Sequence, residues 1–289
     1  MGSWGTGLYS DDSAADLKNT IALLTQLPVS GDRLLEILVD SHGSGVEFTD
    51  DGGPAFWLVV ADQFERKGIG CARAFQQARA VIKSGADLRD LEARGMPAKD
   101  LKKRAAILDE LDRRLKSPRP ERARPKATKP PEFVVDVGEV YAFPTMRRQA
   151  FNAWYASWEQ AKFEPDGWGA MLVVGRGRVF DWLPWCAVAS LTVDPSREPS
   201  LDAAASARLC NEAGAALCVP RKTHLAKMKM RLLGRLDLDD AKAAAAISTE
   251  HTPQYAVTAG WSFVSVMMGW ERGLPAGRAV ADLMGSAKR

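Results

Sequence analysis

A tract rich in proline and basic residues, at positions 117–131, constrains this sequence more than any other feature. The tract is Ser-Pro-Arg-Pro-Glu-Arg-Ala-Arg-Pro-Lys-Ala-Thr-Lys-Pro-Pro. Its five prolines exclude a helix interior and a central strand, and it has no large apolar side chain to bury. We therefore expect an extended, solvated linker with polyproline II character. It predicts a first domain at residues 1–116 and a second at residues 132–289.

The composition is that of a globular protein. The chain is 46% hydrophobic and 26% charged, and no apolar run approaches the roughly 18 residues that a membrane span needs. The first residues carry neither the basic segment nor the apolar core of a secretory signal, so we predict a cytoplasmic protein. The four cysteines have no C-x-x-C spacing, and three stand among apolar residues, which favours buried thiols in a reducing compartment.

The formal net charge of +3 arises mainly in the linker, because basic and acidic side chains nearly balance in each half. A nucleic-acid groove usually needs a surplus of Lys and Arg on a folded face, with aromatic side chains among them. Neither half shows that surplus. Nucleic acid and membranes are therefore not predicted as partners.

The first half, residues 1–116, carries apolar side chains at helical spacing and predicts an all-α helical bundle. An apolar helix beginning at Pro54 is expected at the centre of its core, with the indole of Trp4 packed against it. The predicted helices run over 14–27, from Ser30 to before Gly43, from Pro54 to Gly68, from Gly70 to Gly85, and over 97–116. In the last helix, the basic side chains are predicted to face solvent: Lys102, Lys103, Arg104, Arg113 and Arg114.

The beginning of the chain is acidic. The first 52 residues contain nine acidic side chains and two basic ones. Such a surface suits a basic partner, and it equally suits a solvated surface in which aspartates cap helices. The candidate partner-binding residues in this half are Asp11, Asp12, Asp16, Asp50 and Asp51.

The opening residues resemble a bacterial family. Residues Met1-Gly-Ser-Trp-Gly-Thr-Gly-Leu-Tyr-Ser-Asp-Asp-Ser-Ala-Ala-Asp16 are similar to the start M-G-x-W-G-x-G-x-[FY]-x-x-D-x-A-x-D of the bacterial domain-of-unknown-function family 4259. The resemblance continues through Pro54-Ala-Phe-Trp-Leu58, through Asp62 and Gln63, and along the helix from Gly68 to Gly85. It implies a small cytoplasmic protein from toxin-immunity and related conflict loci, and it brings no catalytic residues with it.

The second half, residues 132–289, predicts an α+β domain with a small, mainly antiparallel sheet. Strands are predicted at 133–144, with a turn at 136–138, and on both sides of Gly175-Arg-Gly177, which predicts a hairpin turn. Further strands are predicted at 185–193 and 215–219, and helices at 146–161, 200–213 and 222–232. The segment Val137-Gly-Glu-Val-Tyr-Ala-Phe-Pro is also similar to the start G-[DE]-V-[FY]-A-[FIL]-P of β-rich immunity-protein domains.

No sequence pattern indicates a metal site, a cofactor or a catalytic nucleophile. Two groups in the second half remain candidates for binding. The basic helix with Arg221 and His224 can hold an anionic ligand or an acidic partner, or it can be a solvated face. Trp182 and Trp185 belong to an aromatic set that can form a partner-binding surface or pack in the core.

The sequence therefore predicts a non-catalytic protein that binds another protein, with stoichiometric immunity against a bacterial toxin as the specific hypothesis. Two alternatives stay open. A hydrolase or transferase would bring Asp181 and His224 together in a deep pocket. A nucleic-acid-associated defence protein would place the basic helix at 221–231 and the linker on one face.

Overall fold

The computed structural model describes residues 5–42, 53–122, 129–212, 214–249, 251–258, 263–269 and 276–285. Over these residues the protein has a mixed α and β fold, in which six helices are followed by an antiparallel sheet with shorter helices. The chain divides into two compact units, Met1–Lys129 with Thr258–Gly260, and Pro130–Val257 with Trp261–Arg289. The main division, between Lys129 and Pro130, lies within the predicted linker. That each unit folds as an independent domain stays a prediction.

The helices of the first unit are α1 (Asp12–Leu24), α2 (Gly31–His42), α3 (Gly53–Lys67), α4 (Ala72–Ser84), α5 (Ala86–Ala93) and α6 (Ala98–Lys116). As predicted, α3 is buried nearly all round, and Leu58 and Phe64 have no exposed surface. Helix α5 was not predicted, because it follows α4 directly, with only Gly85 between them at φ 71°. The predicted packing of Trp4 lies outside the described residues.

The prediction that Arg104 faces solvent is wrong. Its guanidinium is buried in α6 and donates two hydrogen bonds of 2.8 Å to the buried carboxylate of Asp87 in α5. It donates a third, of 2.7 Å, to the carbonyl oxygen of Gly7. Because these acceptors balance the charge and satisfy the N–H groups, a basic residue can occupy the buried side of the helix.

A second ionic network stands on α3, where the carboxylates of Asp62 and Glu65 are buried. Arg114 of α6, which was also predicted to face solvent, is mostly buried and bridges them, with a guanidinium nitrogen 2.5 Å from an oxygen of each. The Tyr9 hydroxyl donates to Asp62, and Arg119 lies 3.0 Å from Glu65. The network therefore joins α6 and the first residues of the predicted linker to α3.

The expectation of a wholly solvated linker is wrong at both ends of the tract. Residues 117–122 are exposed, yet the N–H of Arg122 donates to the carbonyl oxygen of Gly68 at 2.9 Å. At the other end, the carbonyl oxygen of Pro131 accepts a hydrogen bond of 2.8 Å from Arg178. Each end is thus bonded to the unit that it adjoins in sequence.

The second unit contains a six-stranded antiparallel sheet over its described residues, in the order β2-β1-β3-β4-β5, with β6 also paired to β1. Its strands are β1 (Glu139–Met146), β2 (Gln149–Ala150), β3 (Gly167–Val179), β4 (Leu183–Leu191), β5 (Ala216–Cys218) and β6 (Arg231–Arg235). The helices in this part of the chain are α7 (Leu201–Ala205), α8 (Lys222–Lys227), α9 (Asp240–Ala244), α10 (Pro253–Thr258), α11 (Phe263–Gly269) and α12 (Val280–Leu283). The predicted strands near 139–144, 185–191 and 216–218 are confirmed.

The predicted hairpin turn at residues 175–177 is wrong. Strand β3 continues through these residues, and the chain turns at Phe180 and Asp181, both with φ 53°. Glycine is needed within the strand for space: a Cβ on Gly177 would stand 2.8 Å from the ring of Trp185. A strand glycine that makes room for a ring across the sheet looks in sequence like a glycine that makes a turn.

The aromatic helix predicted at 146–161 is also wrong. Strands β1 and β2 occupy its beginning, and residues 151–162 form successive turns. The helices predicted at 200–213 and 222–232 are present only as the shorter α7 and α8. The described helices include none long and apolar enough to span a membrane. Three of the four cysteines were predicted to be buried, and the structure buries Cys71, Cys186 and Cys218.

Candidate protein-binding surface

The acidic candidates of the first unit do not form one site in the described structure. A carboxylate oxygen of Asp11 accepts a hydrogen bond of 2.7 Å from a backbone N–H in the first turn of α1, so this side chain caps the helix. Asp12 and Asp16 are exposed one turn apart, and burial, followed by the charge of Asp12, raises the pKa of Asp16. Asp50 and Asp51 lie outside the described residues.

The tryptophan candidates Trp182 and Trp185 have structural positions. The backbone N–H of Trp182 donates a hydrogen bond of 3.0 Å to the carbonyl oxygen of Val179. This bond closes the turn between β3 and β4. Trp185 stands over Gly177, and its ring packs against the core of the second unit. Both side chains are half-buried, and their positions are explained by the hairpin that they complete.

The structure does not bring Asp181 and His224 together. Asp181 is exposed at the turn that follows the last residue of β3. His224 lies on α8, which packs beside the opposite end of the sheet, where Gly167 of β3 pairs with Thr145 of β1. His224 contacts Trp154, and the charges that act on it are those of Arg221 and Lys227, not that of Asp181, so the two side chains do not form the pocket that the enzyme hypothesis requires.

An ordered loop of aromatic residues stands at that end of the sheet. We call residues 151–163 the aromatic loop. Phe151, Trp158 and Phe163 pack together, with ring centroids 5.0–5.9 Å apart. The indole N–H of Trp158 donates to the carbonyl oxygen of Lys227 at 2.8 Å, which attaches the loop to α8.

A lysine completes the attachment. The ammonium group of Lys227 donates to the carbonyl oxygens of Ala153 and Tyr155, at 3.2 and 3.0 Å. Between these two residues stands Trp154, with 55% of its surface exposed, beside Tyr155 at 44%. The loop backbone is therefore held on both sides of an indole that faces solvent.

The buried side chain of His224 packs against this indole. The imidazole is only 5% exposed and meets the Trp154 ring edge-on, with centroids 5.4 Å apart. Burial lowers the pKa of His224, and the positive charges of Arg221 and Lys227 lower it further. Its Nδ1 atom is buried without a hydrogen-bond partner in the described structure. The histidine thus provides an uncharged surface under the tryptophan, while Arg221 is exposed at the start of α8.

Sequence periodicity predicted a helix with an aromatic face here, and it did not decide which members of the aromatic set are exposed; the structure exposes Trp154 and Tyr155. A signal was present in the polar residues of the same segment. The side chain of Asn152 accepts a hydrogen bond from the N–H of Trp154 at 3.1 Å, and Ser157 accepts one from Gln160 at 3.3 Å. Asn and Ser favour such turns over a helix interior, and they interrupt this aromatic run.

Comparisons with protein-family models, curated proteins and solved structures found no match to this chain. Over the described part of the chain, no three His, Cys, Asp or Glu side chains gather in a way that could hold a metal ion. The exposed pair Trp154 and Tyr155, in the aromatic loop beside α8, is the surface best suited to bind another molecule.

Proposed function

We propose that this protein binds another protein stoichiometrically, through the exposed indole of Trp154 and the neighbouring ring of Tyr155. The observation that carries the proposal is an exposed tryptophan on a backbone that is already held in place by Lys227. Tryptophan and tyrosine are enriched among the residues that dominate binding energy at protein interfaces. A side chain ordered before binding loses less conformational entropy when the partner arrives.

Features of the same surface favour binding over catalysis. The one histidine in it, His224, is buried among positive charges that oppose its protonation. Asp181, its partner in the enzyme hypothesis, stands at the other end of β3. A general acid or base needs a hydrogen-bonding partner within reach of a substrate, and this pair does not supply one.

The specific form of the proposal is immunity, in which the bound protein is a bacterial toxin and binding neutralises it. This form is supported by the resemblance of residues 1–16 to family 4259 and of residues 137–144 to β-rich immunity domains. The partner's identity is best sought in the product of the neighbouring gene.

The test uses the double variant Trp154→Ala/Tyr155→Ala with tagged protein in its native cell. We expect the wild type to capture one protein in a fixed ratio, and the variant to bind that purified protein at least about thirtyfold more weakly, the effect of losing a hot spot of about 2 kcal/mol. The matched control is Tyr255→Ala, which removes another exposed aromatic ring, 43% exposed, and should bind as the wild type does.

Immunity adds a second measurement. Cells that express the captured protein should stop growing, and co-expression of the wild type, but not of the Trp154→Ala/Tyr155→Ala variant, should restore growth. Circular dichroism and an unchanged unfolding midpoint must first show that the variant folds. Equal affinity of a folded variant and the wild type would contradict the proposal.

A further inference from the structure

The tip of the β1–β2 hairpin has an unfavourable backbone for the residues that it contains. The strands pair at Met146 and Gln149, so the connection consists of Arg147 and Arg148 alone. Their φ angles are 52° and 63°, in the left-handed region. Two-residue hairpin turns with two positive φ angles favour Asn-Gly, because side chains with a bulky Cβ lose stability there.

These two arginines contribute little to the fold with their side chains. Both residues are exposed. Over the described part of the chain, neither guanidinium group forms an ion pair or a hydrogen bond. The backbone N–H of Arg147 donates to the carboxylate of Asp166 at 2.9 Å, a bond that any residue with an N–H can make. The strain is therefore not repaid within the described fold, which is the situation expected at a functional position.

The tip belongs to the same end of the sheet as the aromatic loop. The segment between β1 and β3 runs from this tip through the loop, and α8 is bonded to it through Trp158 and Lys227. Lys162 and Lys229 have positive φ angles as well, 50° and 51°, and the ammonium group of Lys229 lies 3.8 Å from the Trp158 ring centroid. Strained basic residues thus occur at the tip, in the aromatic loop and just after α8.

The charge of this end is positive on balance. Residues 146–166 and 221–231 together contain eight basic side chains and three acidic ones, Glu159, Glu164 and Asp166. Residues 192–200 at the same end add one basic and two acidic side chains, and one of these, Glu198, pairs with Arg231. The ratio of basic to acidic residues is higher here than in the whole chain, which has 39 basic and 36 acidic residues. A docking surface of this composition attracts a negatively charged partner and orients it before contact.

We propose that an acidic segment of the partner protein docks here, with carboxylates on Arg147 and Arg148 and an apolar group against Trp154. This inference rests on the proposed function and adds the chemistry of the partner to it. Arginine forks bind carboxylates in a bidentate manner.

The test relaxes the turn and removes its charges in one step, with the variant Arg147→Asn/Arg148→Gly. We expect it to unfold at a temperature higher by roughly 2–4 °C, because Asn-Gly suits the turn. At low ionic strength we expect the variant to bind a fluorescent poly-glutamate peptide at least about tenfold more weakly than the wild type does. If the variant is more stable than the wild type, misfolding cannot explain its weaker binding.

Two controls match this variant. Lys102→Gln/Lys103→Gln removes two positive charges from the exposed side of α6. Phe180→Asn/Asp181→Gly relaxes the turn between β3 and β4, in which both residues have φ 53°. Both should bind poly-glutamate as the wild type does.

If Arg147→Asn/Arg148→Gly binds poly-glutamate as tightly as the wild type does, the inference is overturned. It is also overturned if the wild type binds a single-stranded poly-uridine RNA more tightly than it binds poly-glutamate. The arginine variant is also measured against the captured partner. If it binds that partner normally while Trp154→Ala/Tyr155→Ala does not, this inference fails and the proposed function stands. If Trp154→Ala/Tyr155→Ala also binds normally, the proposed function fails.

Discussion

At the scale of single residues, Arg104 shows how a charged side chain becomes part of a core. It lies one turn from Leu108 on the buried side of α6, and Asp87 balances its charge through two hydrogen bonds. The carbonyl oxygen of Gly7 accepts a third and ties the beginning of the chain to α6. A buried pair of this kind contributes little net energy when complete, but it is costly to break.

We predict that Arg104→Met lowers the free energy of unfolding by about 3–5 kcal/mol, because Asp87 is left buried without its countercharge. The double variant Arg104→Met/Asp87→Leu should recover most of that loss, since no buried charge remains. The measurement is urea denaturation followed by circular dichroism.

The control for this pair is Arg113→Met. Arg113 is 72% exposed and pairs with Glu110 on the helix surface, so its loss should cost less than about 1 kcal/mol. A single Arg104→Met variant as stable as the Arg113→Met variant would show that the buried pair does not hold α5 to α6.

At the scale of elements, α8 and the aromatic loop depend on each other. The helix has only six residues, too few to be stable by itself. The loop has no regular hydrogen-bond ladder and is ordered by its ring packing and by bonds to Lys227. The uncharged state of His224, between the two, is therefore a condition for the binding surface.

We predict that acid loosens this pair of elements. The pKa of His224 is lowered below its ordinary value of 6.5 in the folded protein, by burial and then by Arg221 and Lys227, while Trp154 offers it only an uncharged ring. The unfolded state therefore takes up a proton first. Stability is complete above pH 6.5 and falls as the pH drops below 6.5 towards the lowered pKa of the folded state.

Hydrogen exchange measures this effect where it occurs. The N–H of Phe163, bonded to the carbonyl oxygen of Trp158 at 2.9 Å, should exchange faster at about pH 5 than at about pH 8, after correction for intrinsic rates. In a His224→Gln variant the difference should disappear. The control His42→Gln changes a histidine of the first unit whose pKa is also lowered by burial, and should leave the difference at Phe163 intact.

At the scale of the whole molecule, the proline-rich tract is attached at its beginning. Arg119 pairs with Glu65, and the N–H of Arg122 donates to the carbonyl oxygen of Gly68. Trypsin cleaves poorly before proline, which protects the bonds after Arg119, Arg124 and Lys129. The basic sites of the tract that are not followed by proline are Arg122 and Lys126.

We predict that limited trypsin digestion cuts first after Lys126 and leaves two folded fragments. Cleavage after Arg122 should be slower, because its backbone is bonded to the first unit. An Arg119→Ala variant should speed that second cut, whereas Arg119→Gln keeps hydrogen-bond donors and should speed it less. Mass spectrometry identifies the cuts; a chain that stays intact would show that the tract is packed and that the predicted domain division is wrong.

The sequence by itself determined the order and the type of most elements. Helices in the first half were predicted near their observed positions because their signals are local: apolar spacing, an aspartate cap at Asp11, and breaks at Gly68 and Gly85. The strands near 139–144 and 185–191 were found by β-branched and aromatic composition in the same way. The mixed α and β fold follows from these local signals.

Only the tertiary structure decided which side chains meet and which face water. The buried position of Arg104 depends on Asp87, 17 residues earlier, and the exposed indole of Trp154 depends on Lys227, 73 residues later. The turn at Phe180 rather than at residues 175–177 depends on the ring of Trp185 across the sheet. Local spacing contains no information about such partners, because the energy that selects them arises from contacts between distant parts of the chain.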